Sequence, residues 1–325
     1  MTVPSPRTFN RVLDDGSVVA YTLRSLREES EIVAWSVFCA AAFSYKPQPP
    51  PPEYFANHYW NDPDREISWI RVAESEDEGI VASVRVFRRW VSNGSGGYWT
   101  AGGIGEVCTS PDHRRRGLSK ALLEDALEIM AGLQVSLLHA APAFRPFYAS
   151  MGYAPLTSEW TVARISDWKS WTTERCDKID WDCSLYEEEQ RHVCGSIRRS
   201  VDYWESWIGP KALPSCYALK EGARGMLHVA PDKKKDGQFV LSEYAGLGED
   251  SSRLFRAMVT AFFEEHSLPS SFDLKLPTVV FQSIQDSFED PRPDNDDGWM
   301  YRSMNGGTSM LEVEKPHLIW PGDSF

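Results

Sequence analysis

The chain has 325 residues, of which 42% are hydrophobic and 25% charged, and it carries a formal net charge of −13. That composition belongs to an ordinary globular protein, long enough for two compact domains. An acidic surface repels nucleic-acid phosphate, which argues against DNA or RNA as a partner and favours cationic ones. No window approaches the ~18 consecutive apolar residues that a bilayer span requires, so no membrane partner is expected. Residues Met1–Asn10 lack the apolar segment of a secretory signal. The six cysteines, Cys39, Cys108, Cys176, Cys183, Cys194 and Cys216, are scattered and form no CxxC pair. Free thiols in a reducing, cytoplasmic setting are expected, with neither disulfides nor a metal site.

In chain order, Val18–Arg24 alternates as a strand does, and Glu28–Phe43 carries a helical apolar stripe. Lys46–Glu53 reads KPQPPPPE, an extended polyproline connector that could also serve a proline-binding domain. Tyr54–Trp60 reads as a short helix. Ile67–Ala73 and Gly79–Trp90 read as strands paired across an acidic SEDEG turn, and Val91–Gly97 as a loop. The strand Tyr98–Thr109 leads through a turn into a helix at Leu118–Met130. Then come a strand at Val135–Ala140, a short helix at Phe144–Met151 and a strand at Glu159–Ile165. This mixed order predicts an α/β domain over residues 1–165, with a connector at Ser166–Lys178 opening a second, α+β domain over 166–325. There, Tyr186–Trp207 reads as one helix, and Cys216–Leu219, Gly225–Ala230 and Phe239–Ala245 as strands with a hairpin tip at Asp232–Gly237. Arg253–His266 is amphipathic, Phe272–Leu276 a strand, and Glu289–Asp297 a loose acidic loop. The strands-helix-strand order of the first half recurs, as a degenerate duplicate would show.

The chemistry concentrates in Ile104–Ser119, IGEVCTSPDHRRRGLS. A strand ends at Thr109, Ser110-Pro111 turns the chain, and a helix opens at Gly117. The first N–H groups of that helix lack internal partners and point outward with the positive dipole end behind them, an arrangement that binds pyrophosphate. Gly117 permits close backbone approach, small Ser119 can donate its hydroxyl, and Arg114, Arg115 and Arg116 add positive charge. Leu118, Leu122, Ala126 and Met130 fall on one helix face, with Lys120, Glu124, Asp125 and Glu128 elsewhere, so the helix should pack on a sheet and hold this end rigid. Three solvated arginines on a surface loop are the alternative for the run alone.

This segment resembles motif A of the GNAT acetyltransferases, a V-x-V/T-x-P strand end followed by Q/R-x-x-G-x-G/A. It stands here as Val107-Cys108-Thr109-Ser110-Pro111 and Arg114 to Ser119, with Ser119 replacing the usual Gly or Ala. Phe147-Tyr148-Ala149-Ser150-Met151-Gly152-Tyr153 is similar to the family's motif B, and the likeness spans roughly Val18 to Ile165. The resemblance implies acetyl-CoA as co-substrate, no metal, and a small cationic primary amine as acceptor. It implies that the backbone of Val107, Cys108 and Thr109 pairs with the pantetheine arm, that the amides from Arg115 through Leu118 to Ser119 hold the pyrophosphate, and that Tyr148 protonates the departing thiolate.

For the base, Glu106 and His139 are the two candidates. The family's usual glutamate position falls on Gly103, and alternation sets Glu106 on the face opposite Val107. Cys108 lies near the thioester path, but no cysteine intermediate is needed. Trp35, Tyr54 and Trp60 either line the acceptor cleft or pack in the core. Within the superfamily the chain resembles Eis-type and fungal lysine acetyltransferases. In the Eis type a C-terminal carboxylate serves as base, the place of Phe325 here, and a third, sterol-carrier-like domain follows for which no room is expected after about residue 285. The second half lacks R-x-x-G-x-G, so it should bind no second cofactor and instead wall the cleft or form a homo-oligomer contact. A CoA-binding sensor without catalysis, and a peptide or protein acceptor, are the competing functions.

Overall fold

The computed structural model describes residues 3–45, 48–211, 213–246, 250–304 and 317–323. A hairpin opens the chain, β1 (Arg7–Val12) with β2 (Val18–Ser25). Helices α1 (Ile32–Ala42) and α2 (Pro52–Trp60) follow. The proline run gives way to helix earlier than expected: Pro52 takes the first helical position, where its missing N–H costs nothing. Next come β3 (Ile70–Ser75), β4 (Gly79–Ser92), β5 (Tyr98–Thr109), α3 (Leu118–Ile129), β6 (Val135–His139), α4 (Arg145–Ser150) and β7 (Ala154–Pro155). The second half contains β8 (Trp160–Ile165), β9 (Cys176–Ile179), α5 (Ser184–Gln190), a π-helical turn at Tyr203–Ile208, β10 (Ser215–Leu219), β11 (Arg224–Pro231) and β12 (Gln238–Ala245). It closes with α6 (Ser251–Glu265), β13 (Phe272–Pro277), α7 (Thr278–Ile284), β14 (Glu289–Pro293) and β15 (Trp299–Ser303).

These strands form two mixed sheets, ordered β1-β2-β3-β4-β5-β6-β15-β7 and β14-β8-β13-β12-β11-β10-β9. Each contains an antiparallel meander ending in one parallel pair, β5 with β6 and β12 with β13, joined through α3 and α6 respectively. The second sheet therefore repeats the first. The strand beyond each parallel pair is exchanged: β8 follows the first half in sequence but pairs antiparallel with β13, while β15 returns from the second half to pair antiparallel with β6. The strand Glu159–Ile165, read from sequence with the first half, thus lies in the second sheet, and β15 was not anticipated.

Two further expectations are corrected. Tyr186–Trp207 is not one helix: it breaks after α5 because Gly195 adopts φ +92, where a Cβ would sit 3.1 Å from the Leu318 carbonyl oxygen. The backbone of the C-terminal segment needs that space. The acidic stretch after Glu289 is not wholly loose, since Glu289–Pro293 forms the exposed edge strand β14, a position where Pro291 and Pro293 need not donate on both sides.

One face of the first sheet packs against α3, with Leu118, Leu122, Ala126, Ile129 and Met130 buried as the helical spacing predicts. Fully burying a leucine of this kind contributes about 1.5–3 kcal/mol. Asp125 departs from the expected solvent face. It is buried and accepts from Arg71 Nη2 at 2.5 Å and Arg7 Nη2 at 2.8 Å, tying α3 to the sheet. On the other face, Trp35, Cys39 and Ile32 of α1 pack near Cys108, while Phe87, Val91, Trp99 and Ala101 join the core of the second half.

Candidate active site

β5 pairs with β4 out to Thr109, but its parallel pairing with β6 runs only from Ala101↔Val135 to Ile104↔Leu138. Beyond that point the two strands part, and residues 105–109 have an edge that β6 does not fill. A bulge sits at the fork: Ser83 faces Cys108 and Arg85 faces Gly105, so Val84 opposes both Glu106 and Val107. Glu106 takes φ 54, uncommon for a residue with a side chain. The bulge re-aims the side chains after it. Val107 packs toward the α3 core, whereas Glu106 turns to the α2 side and Cys108 to the α1 side. Bulges of this kind re-aim side chains next to reactive centres.

The β5–α3 junction is built for a close approach. Gly117 adopts φ 87 at the N-cap of α3, and Arg115 adopts φ 61. The first α-helical bond here is Ala121 N–H to Gly117 O at 3.1 Å, so the amides of Leu118, Ser119 and Lys120 have no partner inside the helix. Thr109 Oγ1 and Ser119 Oγ lie 2.8 Å apart, fastening strand end to helix start and leaving one of the two O–H groups to donate elsewhere. The three arginines differ. Arg114 is exposed, with Nε donating to Thr109 O at 3.2 Å and its guanidinium 6.0 Å from the Tyr45 ring centroid. Arg115 is exposed. Arg116 is turned inward, donating to Tyr21 Oη at 2.6 Å beside buried His113. His113 in turn contacts Tyr21 Oη at 2.9 Å and Glu78 Oε1 at 3.0 Å. Arg116 is therefore a brace of the loop, and the solvent-facing charge comes from Arg114 and Arg115.

On the α2 side, the Glu106 side chain is only 4% exposed. His58 Nδ1 lies 3.3 Å from its Oε1 and Arg85 Nη1 3.6 Å from its Oε2. Oε2 and Arg85 Nη1 are both buried without a hydrogen-bond partner. Arg85 Nη2 donates to Asp62 at 3.0 Å, and Asp62 accepts from Arg89 Nη1 at 2.9 Å. Tyr54 packs on His58 at 4.1 Å between ring centroids, the rings tilted by 47°; burial, then the Glu106 charge, raises its phenol above the ordinary value. Trp207, from the π-helical turn of the second half, lies with its ring centroid 5.2 Å from that of His58. Trp35 is fully buried and donates to Ser83 Oγ, a core role, whereas Tyr54 and Trp60 are 46% and 41% exposed. A cavity of about 380 Å3, bounded by Asp64, Arg65, Glu66 and Arg88, shares no residue with this cluster.

Tyr148, on α4, packs among the residues of the α3 core that also includes Val107, with Tyr153 at 6.1 Å. Burial raises its phenol to about 12, and no hydrogen bond to its hydroxyl occurs among the described residues. A buried phenol that holds its proton is a donor in waiting. His139, by contrast, is exposed at the end of β6, where Nε2 meets Asp296 Oδ1 at 2.9 Å and the ring lies edge-on to Trp299 at 5.1 Å. Glu106 is in the buried cluster and His139 is committed to Asp296. Phe325 lies outside the described residues; the segment leading to it is anchored by buried Asp323, which accepts from Arg199 at 2.8 Å and from Tyr203 at 3.1 Å. Among the described residues, no group of His, Cys, Asp and Glu could hold a metal ion.

Sequence reasoning missed His58, Arg85 and Trp207. Their separations from Glu106 along the chain are long, and His58 falls in a short helix whose face gives no signal of a carboxylate opposite.

Residues 22–156 match a family described as acetyltransferase (GNAT) domain. No curated protein matches the chain. Among solved structures, a probable N-acyltransferase from Enterococcus faecalis aligns at 19% identity and TM-score 0.63, covering 87% of this chain and 73% of that one. Eis1 from Mycobacterium abscessus aligns at 16% identity and TM-score 0.60 over the same shares. A GCN5-related N-acetyltransferase from Kribbella flavida aligns at 16% identity and TM-score 0.64, covering 87% and 71%. At these identities the structural likeness speaks for the fold.

Proposed function

We propose that this chain, whose residues 22–156 match a GNAT acetyltransferase domain, is an acyltransferase that moves an acetyl group from acetyl-CoA to the primary amine of a small cationic acceptor. The observation that carries the reading is the fork between β5 and β6, with the bulge at Glu106 on one face and the β5–α3 junction on the other. The thioester's pantetheine arm fits the unfilled edge of residues 107–109, and the pyrophosphate fits the free amides of α3 with Arg114 and Arg115 beside them. Backbone N–H groups at the fork steady the oxyanion of the tetrahedral intermediate.

Glu106 is the better base candidate, because its buried carboxylate keeps one oxygen without a hydrogen bond while His139 is held by Asp296. An ammonium of pKa ~10 must lose a proton before it attacks, and a carboxylate beside aromatic rings both attracts that cation and accepts its proton. Tyr148, kept neutral by burial, gives its proton to the thiolate and recovers one from the attacking nitrogen. Both substrates bind before any bond changes, so initial velocities with both concentrations varied should give intersecting lines. Parallel lines would indicate an acetyl-enzyme, with Cys108 the first suspect, and would overturn direct attack.

A further inference from the structure

We propose that His58 is a positioning residue for this reaction: its Nδ1–H holds Oε1 of Glu106 and so presents Oε2 to the acceptor amine. The inference rests on the reading of Glu106 as base and adds a residue from α2 to it. Three observations carry it. His58 Nδ1 is 3.3 Å from Glu106 Oε1. The other carboxylate oxygen, Oε2, and the nearest cation, Arg85 Nη1 at 3.6 Å, are both buried and make no hydrogen bond, to each other or to another protein group, so Oε2 keeps its capacity to accept. The imidazole itself packs against two aromatic rings, Tyr54 at 4.1 Å and Trp207 at 5.2 Å between centroids.

The chemistry of the pair fixes its roles. An ionised carboxylate only accepts, so a neutral imidazole facing it must carry its proton on Nδ1. A donor that holds one carboxylate oxygen fixes the plane of the group and leaves the second oxygen to accept. Arg85 already supplies charge, shared with Asp62. An ammonium becoming an amide sheds two protons: one goes to Glu106 Oε2 and from there to solvent, and the other ends on the thiolate through Tyr148. His58 gains and loses none. Trp207, whose Nε1 donates to Gly322 O at 3.0 Å, brings a ring of the second half up to His58.

The test is kinetic, with Glu106→Gln as reference. His58→Ala should lower kcat roughly 10- to 100-fold, the worth of one charge-assisted hydrogen bond, while acetyl-CoA affinity holds. His58→Asn places an amide N–H where Nδ1 stood and should recover most of that loss. A His58→Ala enzyme with wild-type kcat overturns the inference, and so does a His58→Asn enzyme as impaired as His58→Ala. Wild-type kcat in Glu106→Gln removes the base reading instead, which is a separate failure. Should His58→Ala not fold, nitrogen NMR of the wild-type ring decides: an Nδ1–H tautomer is expected, and an Nε2–H tautomer contradicts the proposal.

Discussion

Replacing Gly117 with alanine should weaken coenzyme A binding about 5- to 30-fold. Gly117 sits at φ 87 with ψ near 1, and an added Cβ would meet only Phe9 Cζ at 3.6 Å, an ordinary contact. Sterics with neighbours are therefore not the issue; the backbone is. Left-handed geometry costs a residue with a Cβ roughly 1–2 kcal/mol, and the exposed loop can escape that cost by relaxing when nothing is bound. Binding the diphosphate demands the original conformation, so the strain is paid on association, and 1.4 kcal/mol corresponds to a tenfold change in Kd. Calorimetric titration with coenzyme A measures it. Gly237→Ala is the control, a left-handed glycine at φ +73 with open space around it, in the β11–β12 hairpin of the other sheet. It should lose stability and keep affinity. Equal affinity for Gly117→Ala and the wild type, with only the melting temperature lowered, would refute the claim that this junction carries the diphosphate.

Tyr148→Phe should leave acetyl-CoA affinity intact and lower kcat by about 10²–10⁴-fold, and steady-state kinetics with unchanged kcat would remove Tyr148 from the mechanism. Because burial raises this phenol to about 12, it stays protonated below its ordinary pKa, and the stability it contributes is lost only as pH climbs from ~10 toward that raised value. An alkaline break in kcat near the ordinary phenol value that vanishes in Tyr148→Phe would contradict the burial argument. Arg115→Ala should weaken coenzyme binding without lowering the melting temperature, whereas Arg116→Met should lower it, since Arg116 alone of the two bonds to Tyr21; the reverse pattern in paired melts and titrations counts against the division of labour. Arg199→Met would strand the buried carboxylates of Glu243 and Asp323 that it bridges at 2.7 and 2.8 Å. About 3–5 kcal/mol of stability should go, and a denaturant midpoint near the wild type's would rule the network out as a support.

The sequence carried the local features well because their causes are local. The strand end at Thr109, the turn at Pro111 and the apolar stripe from Leu118 to Met130 each follow from spacing and residue type. What escaped depended on distant partners. Asp125 looks solvated on a helical wheel, and only Arg71, placed on β3 by the fold, makes it a buried ion pair. Glu106 and His139 were equal candidates in sequence, until the bulge turned one toward Arg85 and His58 and Asp296 engaged the other. The exchange of β8 and β15 was illegible for the same reason: nothing within either short strand names its sheet, and the choice is made by register against β13 and β6.

Acyl transfer to an amine is tested most directly by release of free thiol from acetyl-CoA in the presence of a panel of primary amines, with mass spectrometry of the acceptor. Cationic amines should release thiol in step with their own acetylation, and neutral or acidic acceptors should lag far behind. Tight coenzyme binding with no thiol released for any amine would contradict the account and favour a protein that senses CoA without using it.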